Sequence, residues 1–277
     1  MKLKVIVTDL DGTLLNKKRW ISKTNLLNLK EFIKDGGEVC FVTGRSLDSS
    51  RRIAKIFKSK TGYDIKYIAC FNGAIIYDNI NNKIIEETTI NHEVVTDLFN
   101  TSRKFSLGFT EYYKDLNNKK IFINVYGYDF LVNIIRFFNK KTSYYKIKKN
   151  NLKIENVYKI NIVKKFDTNS FNSMQEFLKY ADIKNISFSL TSSSLIEVTP
   201  ENIDKGYAVK RISELLSVPL DEFIAFGDSP NDIPMLKIIK NSFITKDKRL
   251  DSTKYFFNKK FKPKNSIGNW LESKFYK

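Results

Sequence analysis

Short apolar runs and helix-period stretches alternate along the first quarter of the chain. KLKVIVTDL (residues 2–10) is a β-rich apolar run closed by Asp-Gly, which predicts a buried strand. Ser22 or Thr24 can cap the helix NLLNLKEFIKD, which should end at Gly36-Gly37. EVCFVTG is a second buried strand. A helix follows over Leu47–Lys58 with Ile53, Ile56 and Phe57 on one face, and YIACFNG is a third strand. Strand, helix, strand, helix, strand at this spacing means βαβ units and a parallel, Rossmann-like sheet with helices on both faces.

After Asn72 the rhythm changes. AIIYDNINNKIIEE reads as a hairpin turning at Asn79–Asn82, and a helix should run from His92 to Lys104. KKIFINVYG is a strand candidate and DFLVNIIRFFNK (129–140) a helix. VYKINIVKK is a strand, SFNSMQEFLKY a helix, and ISFSL and SLIEVTP are strands, with 140–156 expected as a surface loop. From Asp204 the first pattern returns: helix DKGYAVKRISELL, strand EFIAFGD, a helix through IPMLKII, short strands SFIT and KYFF (254–257), and an amphipathic helix SIGNWLESKF. The expected fold class is α/β. Residues 1–80 and 201–277 form the core domain, and residues 81–200 form an inserted α+β domain.

Composition narrows this little. The chain has 277 residues, a formal net charge of +18 and 42% hydrophobic residues, enough to fill two cores, so intrinsic disorder is excluded. The charge invites a nucleic-acid partner, but only eight of the 48 basic residues are Arg. Lysine accompanied by abundant Asn and Ile is what an AT-rich genome produces, and lysine runs such as 146–149 and 259–264 read as solvated faces, so nucleic acid is not expected as a partner. No apolar run approaches the ~20 residues that span a bilayer, and the N-terminus lacks a signal-peptide pattern. Cys40 and Cys70 sit inside apolar runs and read as small buried thiols, which fits a reducing, cytoplasmic setting.

The chemistry is concentrated at strand ends. Asp9-Leu10-Asp11-Gly12-Thr13 closes the first strand, where residues two apart project to one side about 6–7 Å from each other. Ligand sites of open α/β sheets lie at these carboxyl ends. An EF-hand loop is ruled out, because with Asp9 first the bidentate Glu position falls on Trp20 and the glycine arrives two places early. The second acidic string, Gly227-Asp228-Ser229-Pro230-Asn231-Asp232, also follows a strand, and its hard oxygen ligands suit Mg²⁺. Read alone it is slightly better explained as a turn with a helix N-cap, a reading that loses ground once the first acidic string is set beside it. Thr43-Gly44-Arg45 ends the second strand with a hydroxyl, an unobstructed backbone and a cation. Lys205-Gly206 begins the helix that returns to the core.

DxDGT, then TGR, then the Lys of D-K-G, then GDxxND, in this order, resembles the haloacid dehalogenase superfamily of aspartate-nucleophile phosphatases across essentially the whole chain. The resemblance implies Asp9 as nucleophile and Asp11 as general acid/base. It implies that Thr43 and Lys205 hold phosphoryl oxygens, with Gly44, Arg45, Asn72 and Asn231 on the phosphate or substrate. Asp9, Asp11 (through its carbonyl), Asp228 and Asp232 would hold Mg²⁺. Only 29 residues separate Thr13 from Thr43, whereas 132 lie between Asn72 and Lys205. A large insert at that second position, with Asn72-Gly73-Ala74, resembles the Cof-type branch, whose α/β cap reads a sugar phosphate or related small phosphorylated metabolite. GDSPNDIPML, with Lys240–Thr245 in place of a Gly-Asn-Ala element, is similar to mannosyl-3-phosphoglycerate phosphatases at that spot.

The expected activity is therefore Mg²⁺-dependent hydrolysis of a small phosphomonoester through an aspartyl-phosphate. A phosphosugar mutase of the same superfamily and a basic nucleic-acid-binding scaffold on an idle fold stand as alternatives. His92 should be a surface residue at a helix start, and Trp20 a packing residue in the loop after Asp9. Glu197 and Tyr126 are candidates to face the substrate.

Overall fold

The computed structural model describes residues 3–115, 120–127, 144–146, 152–164, 170–183, 187–192, 194–244 and 267–275. The expected helix over 129–140, the strand at 254–257 and the lysine run 259–264 lie outside them. The chain divides into two compact units, Met1–Glu87 with Ile203–Lys277, and Thr88–Asn202.

The first unit is a seven-stranded sheet. β1 (Val5–Thr8), β2 (Glu38–Val42) and β3 (Tyr67–Cys70) are joined by α1 (Lys23–Lys34) and α2 (Leu47–Thr61). β4 (Ile75–Asp78) and β5 (Lys83–Glu87) form the expected hairpin, and β12 (Phe223–Gly227) and β13 (Asn241–Ile244) come from the C-terminal half. The spatial order is β13-β12-β1-β2-β3-β4-β5, parallel except for the hairpin. β1 lies between β12 and β2, so the strand order reverses there and a crevice opens at its carboxyl end.

β1 is buried at every position because both faces are covered. Val5 and Val7 join Phe223, Ala225 and the apolar faces of α5 (Lys205–Leu216) and α6 (Ile233–Ile238) in one core. On the other face Phe226 meets Trp270 of α7 (Ile267–Phe275) edge-on at 5.7 Å. Ser22 is the cap of α1, accepting from the Asn25 N–H at 3.1 Å. α2 runs on to Thr61 and stops at Gly62, whose φ of 84° suits a glycine. Its buried face is Ser50, Ile53, Ala54, Phe57 and Thr61; Ile56 lies off that stripe and is 49% exposed, not inward as its hydrophobicity suggested. Cys40 and Cys70 are free and buried as expected.

The second unit is a six-stranded sheet in the order β10-β11-β9-β6-β7-β8, with α3 (His92–Lys104) and α4 (Ser170–Ile183). Its strands are β6 (Gly108–Asp115), β7 (Lys120–Tyr126), β8 (Tyr144–Lys146), β9 (Val157–Val163), β10 (Phe188–Ser192) and β11 (Leu195–Val198). β6 has no counterpart among the expected strands. Segment 140–156 is not all loop either, since β8 pairs parallel with β7. Phe109, Tyr113, Ile160, Ile162, Ile196 and Val198 face a core shared with Leu98, Phe99 and Phe177 of the helices. His92 is the exposed first residue of α3, as expected.

Candidate active site

The C-terminal ends of β1, β2 and β12 bring the acidic strings and the lysine together. Asp9 follows β1 directly, and its N–H donates to the Phe226 carbonyl at 3.0 Å, continuing the parallel ladder into the site. Lys205 is completely buried, and its Nζ donates to Asp9 Oδ1 at 2.7 Å and to Asp232 Oδ1 at 2.6 Å. Local sequence explains that placement. The Asp204 side chain caps α5 through the Tyr207 N–H at 2.8 Å, so Lys205 is the first helical residue. A side chain at Gly206 would come within 3.0 Å of the Pro234 carbonyl, so the glycine lets α5 approach the turn that carries Asp232.

That turn serves two purposes. The Asp232 Oδ2 accepts from the backbone N–H groups of Asp228 and Ser229, both at 2.9 Å, and from Ser229 Oγ at 3.2 Å. Ser229 and Asp232 thus form a reciprocal capping box at a Pro-containing turn. The helix-cap reading of GDSPND holds through Asp232 Oδ2, while Oδ1 of the same residue meets Lys205. Thr13 Oγ1 donates to Asp228 Oδ1 at 3.1 Å. Gly12 has φ +82°, and a Cβ there would lie 2.3 Å from Asp228 Oδ2, so only glycine lets the first string pass the second.

Asp9, Asp228 and Asp232 are buried, and one oxygen of each lies within 4.8 Å of the others. Three carboxylates face one ammonium. Burial pushes Asp9 up to about 7; Lys205 pulls it down while Asp232 and Asp228 push it further up. Burial alone would depress Lys205, but the charges of Asp232 and Asp9 hold it above its ordinary value and keep it protonated. The surplus of buried negative charge and the hard oxygen donors fit a divalent cation.

Asp11 stands apart from this cluster. Its carboxylate is gripped by Arg45, with Nε at 2.6 Å and a terminal nitrogen at 2.5 Å. Burial would raise Asp11, but the hydrogen bonds and charge of Arg45 outweigh it and hold the carboxyl below its usual range. Thr43 is buried at the end of β2, where Gly44 and Arg45 follow it, and its Oγ1 accepts from the Arg45 N–H at 3.3 Å. The Thr43 carbonyl accepts from the Asn72 N–H at 2.9 Å. Asn72 is buried in the left-handed region, φ 59°, and its Oδ1 accepts from Asn231 Nδ2 at 3.3 Å. Every residue singled out by motif order therefore falls at the same sheet edge of the first unit.

Four members of the site were not singled out individually. Thr13 and Ser229 hold Asp228 and Asp232, Gly12 lets the first acidic string pass the second, and Gly227 lets the second turn back on itself, since a Cβ there would stand 2.5 Å from that of Asp232. The readable signals were the Thr that completes DGT and the Ser-x-x-Asp spacing of a capping box. Outside this site, one expectation is corrected. Trp20 is 72% exposed, because it stands at the tip of a tight hairpin and not under it. Glu197 and Tyr126 lie on opposite faces of the second unit's sheet, Glu197 paired to Lys159 at 2.9 Å and Tyr126 against Phe99 in the core.

Comparison with known proteins identifies the family. The profile of haloacid dehalogenase-like hydrolases matches residues 6–251. The chain belongs to that family. Among haloacid dehalogenase-like hydrolases, a putative phosphatase of Buchnera aphidicola subsp. Schizaphis graminum is 31% identical over 85% of this chain and 81% of its own. The 5-amino-6-(5-phospho-D-ribitylamino)uracil phosphatase YwtE of Bacillus subtilis is 24% identical over 92% of this chain and 97% of its own. A solved haloacid dehalogenase-like hydrolase from Bacteroides thetaiotaomicron superposes with a TM-score of 0.74 at 22% identity, covering 99% of this chain and all of that one. A subclass IIB sugar phosphatase superposes at 0.77 with 17% identity over 98% of both chains, which shows the shared fold. No helix among the described residues is long and apolar enough to cross a membrane.

Proposed function

We propose that this hydrolase is a Mg²⁺-dependent phosphatase that cleaves a small phosphomonoester, a sugar phosphate in class, through an aspartyl-phosphate on Asp9. The observation that carries the reading is the buried Lys205 ammonium bridging Asp9 and Asp232, with Asp228 in the same 4.8 Å cluster. A lysine so placed screens an anionic nucleophile as it approaches an anionic ester, and phosphoryl transfer depends chiefly on such positioning and electrostatics. Asp9 and Asp228 would hold the metal directly, with the Asp11 carbonyl completing the set. Both oxygens of Asp232 already accept protein donors, so Asp232 would act by fixing Lys205 and the turn. When bound, Mg²⁺ supplies the positive charge that neutralises phosphoryl oxygens.

In the first half-reaction an Asp9 carboxylate oxygen forms a bond to phosphorus while the ester P–O bond breaks, and Asp11 gives its proton to the leaving alkoxide. In the second, water attacks phosphorus, Asp11 takes its proton, and the bond to Asp9 breaks to release inorganic phosphate. Thr43 and Lys205 hold the phosphoryl oxygens, with Gly44, Arg45, Asn72 and Asn231 around them. Unit Thr88–Asn202 would act as the cap that selects the leaving group. The names of the Bacillus subtilis relative and of the subclass IIB neighbour support a phosphorylated sugar or polyol as substrate. Two free buried cysteines suit a reducing, cytoplasmic setting.

A phosphate-release screen over sugar phosphates, phosphorylated polyols, nucleotides and polynucleotide ends, with Mg²⁺ and with chelator, tests this reading. Release from small esters that needs Mg²⁺ is expected. No release from any ester would overturn it, and a salt-sensitive gel shift with oligonucleotides would favour a nucleic-acid scaffold instead.

A further inference from the structure

The C-terminal helix is tied to the mounts of both acidic strings. Gly268, in the first turn of α7, packs so closely on the start of α1 that a Cβ there would lie 2.4 Å from the Thr24 carbonyl oxygen. Its N–H donates to Asn25 Oδ1 at 2.9 Å, and Asn25 Nδ2 donates to the Leu14 carbonyl at 3.2 Å. Both partners are backbone groups of fixed polarity, so the amide has a single workable orientation. Leu14 ends the loop that carries the first acidic string. Its N–H donates to the Asp9 carbonyl at 3.3 Å, and the hydroxyl of the preceding Thr13 donates to Asp228. Two residues further along α7, Trp270 lies edge-on to Phe226 at 5.7 Å and against Phe243 at 4.7 Å. Phe226 is the residue whose carbonyl receives the Asp9 N–H, and Asp228 follows it by two positions.

Packing alone does not call for Asn25. The residue is 3% exposed, and a buried amide costs free energy unless both of its ends are bonded. Here both are, to segments 11 and 243 residues away in sequence, so one side chain joins the C-terminal helix to the loop of Asp9. We propose that α7 braces the cation site through Asn25, a positioning residue that fixes loop 9–14 and with it Asp9, the Asp11 carbonyl and the Thr13 hydroxyl that holds Asp228. Trp270 steadies the second string through Phe226. This rests on the Mg²⁺ reading of the site and deepens it, because the affinity for the cation is then set in part by a helix that supplies it no ligand. Groups that orient metal ligands from outside change metal affinity or activity by about ten- to a hundredfold when they are removed.

Full-length wild type, Asn25→Asp and Gly268→Ala are compared well below their melting temperatures. Phe57→Leu, buried on α2, serves as a destabilised control. Asn25→Asp keeps the shape and the acceptor for Gly268 but loses the donor to Leu14, whereas Gly268→Ala pushes α7 off α1. Each should weaken the calorimetric Kd for Mg²⁺ roughly 10- to 100-fold, while Phe57→Leu stays within about twofold of wild type. Hydrogen–deuterium exchange over residues 9–15 should quicken in both variants and not in the control. A lowered melting temperature with the Mg²⁺ Kd unchanged, or with exchange over 9–15 unchanged, would overturn the brace. The same loss of affinity in Phe57→Leu would overturn it too, since any loosening of the fold would then suffice. No Mg²⁺ binding by wild type would overturn the Mg²⁺ reading instead, and the exchange measurement still decides the brace.

Discussion

Arg45 holds Asp11 in a two-pronged ion pair, Nε on one carboxylate oxygen at 2.6 Å and a terminal nitrogen on the other at 2.5 Å. The guanidinium favours the ionised carboxyl, so the residue proposed as proton donor is kept ionised until this pair opens. Removing Arg45 leaves burial as the dominant influence on Asp11, and burial raises it. In Arg45→Ala the pKa that governs kcat/KM should move upward, with Arg45→Lys between the two. A pH–rate profile unchanged in Arg45→Ala would mean that Asp11 is not the group being titrated.

Among the described residues, Asp9 is the only carboxylate that both follows β1 directly and touches Lys205. Replacing it with Asn keeps the shape and leaves Asp232 to hold the ammonium, so the fold should survive with a melting temperature within about 5 °C of wild type. Turnover should fall at least about a thousandfold, because an amide cannot form the aspartyl-phosphate. Phosphate release by a correctly folded Asp9→Asn at near-normal rate would remove Asp9 from the chemistry.

Chelation and proton competition test the cation site together. Mg²⁺ at a hundredfold excess over its Kd should stabilise the folded protein by about 3 kcal/mol, and Asp228→Asn should abolish most of that shift. Asp9 sits at about 7 without a metal, so below that pH a proton must leave as the ion binds. The apparent Kd should then weaken about tenfold per pH unit on going down from pH 7, and stay flat above it. A Mg²⁺-dependent melting shift that is independent of pH from 5 to 8 would show that Asp9 does not hold the ion.

Much of this was legible because the first unit obeys local rules. Its strands are apolar on both faces, its helices carry Ser, Asp and Gly signals at their ends, and its site residues sit where strands stop. Motif order alone brought Asp9, Asp228, Asp232 and Lys205 together. The misreadings have physical causes. β6 escaped detection because its inward position 111 is a glutamate among Phe109 and Tyr113, which breaks the alternation that marks a half-buried strand. Trp20 and Ile56 were read inward on hydrophobicity, but a hairpin tip and an off-stripe helix position expose them whatever their side chains prefer. The pairing of Asp11 with Arg45 spans 34 residues and two strands, a relationship no spacing rule encodes.

Glu111 gives a prediction that involves no catalytic group. It is fully buried in the second unit, where one carboxylate oxygen accepts from Asn124 Nδ2 at 2.6 Å and the Lys153 N–H at 3.0 Å, and the other has no hydrogen-bond partner among the described residues. Burial pushes its carboxyl up to about 7, only partly opposed by those two hydrogen bonds and the Lys153 charge. The folded state therefore binds the proton more tightly than the unfolded chain, whose value is 4.5. Its contribution to stability is fully present below pH 4.5, is lost as pH rises through about 7, and is flat above that. The loss amounts to at most about 3 kcal/mol. Glu111→Gln stays neutral throughout, so its unfolding midpoint in urea should match wild type near pH 5 and exceed it at pH 8. Parallel pH dependences of the two proteins would show that Glu111 does not change its protonation in this range.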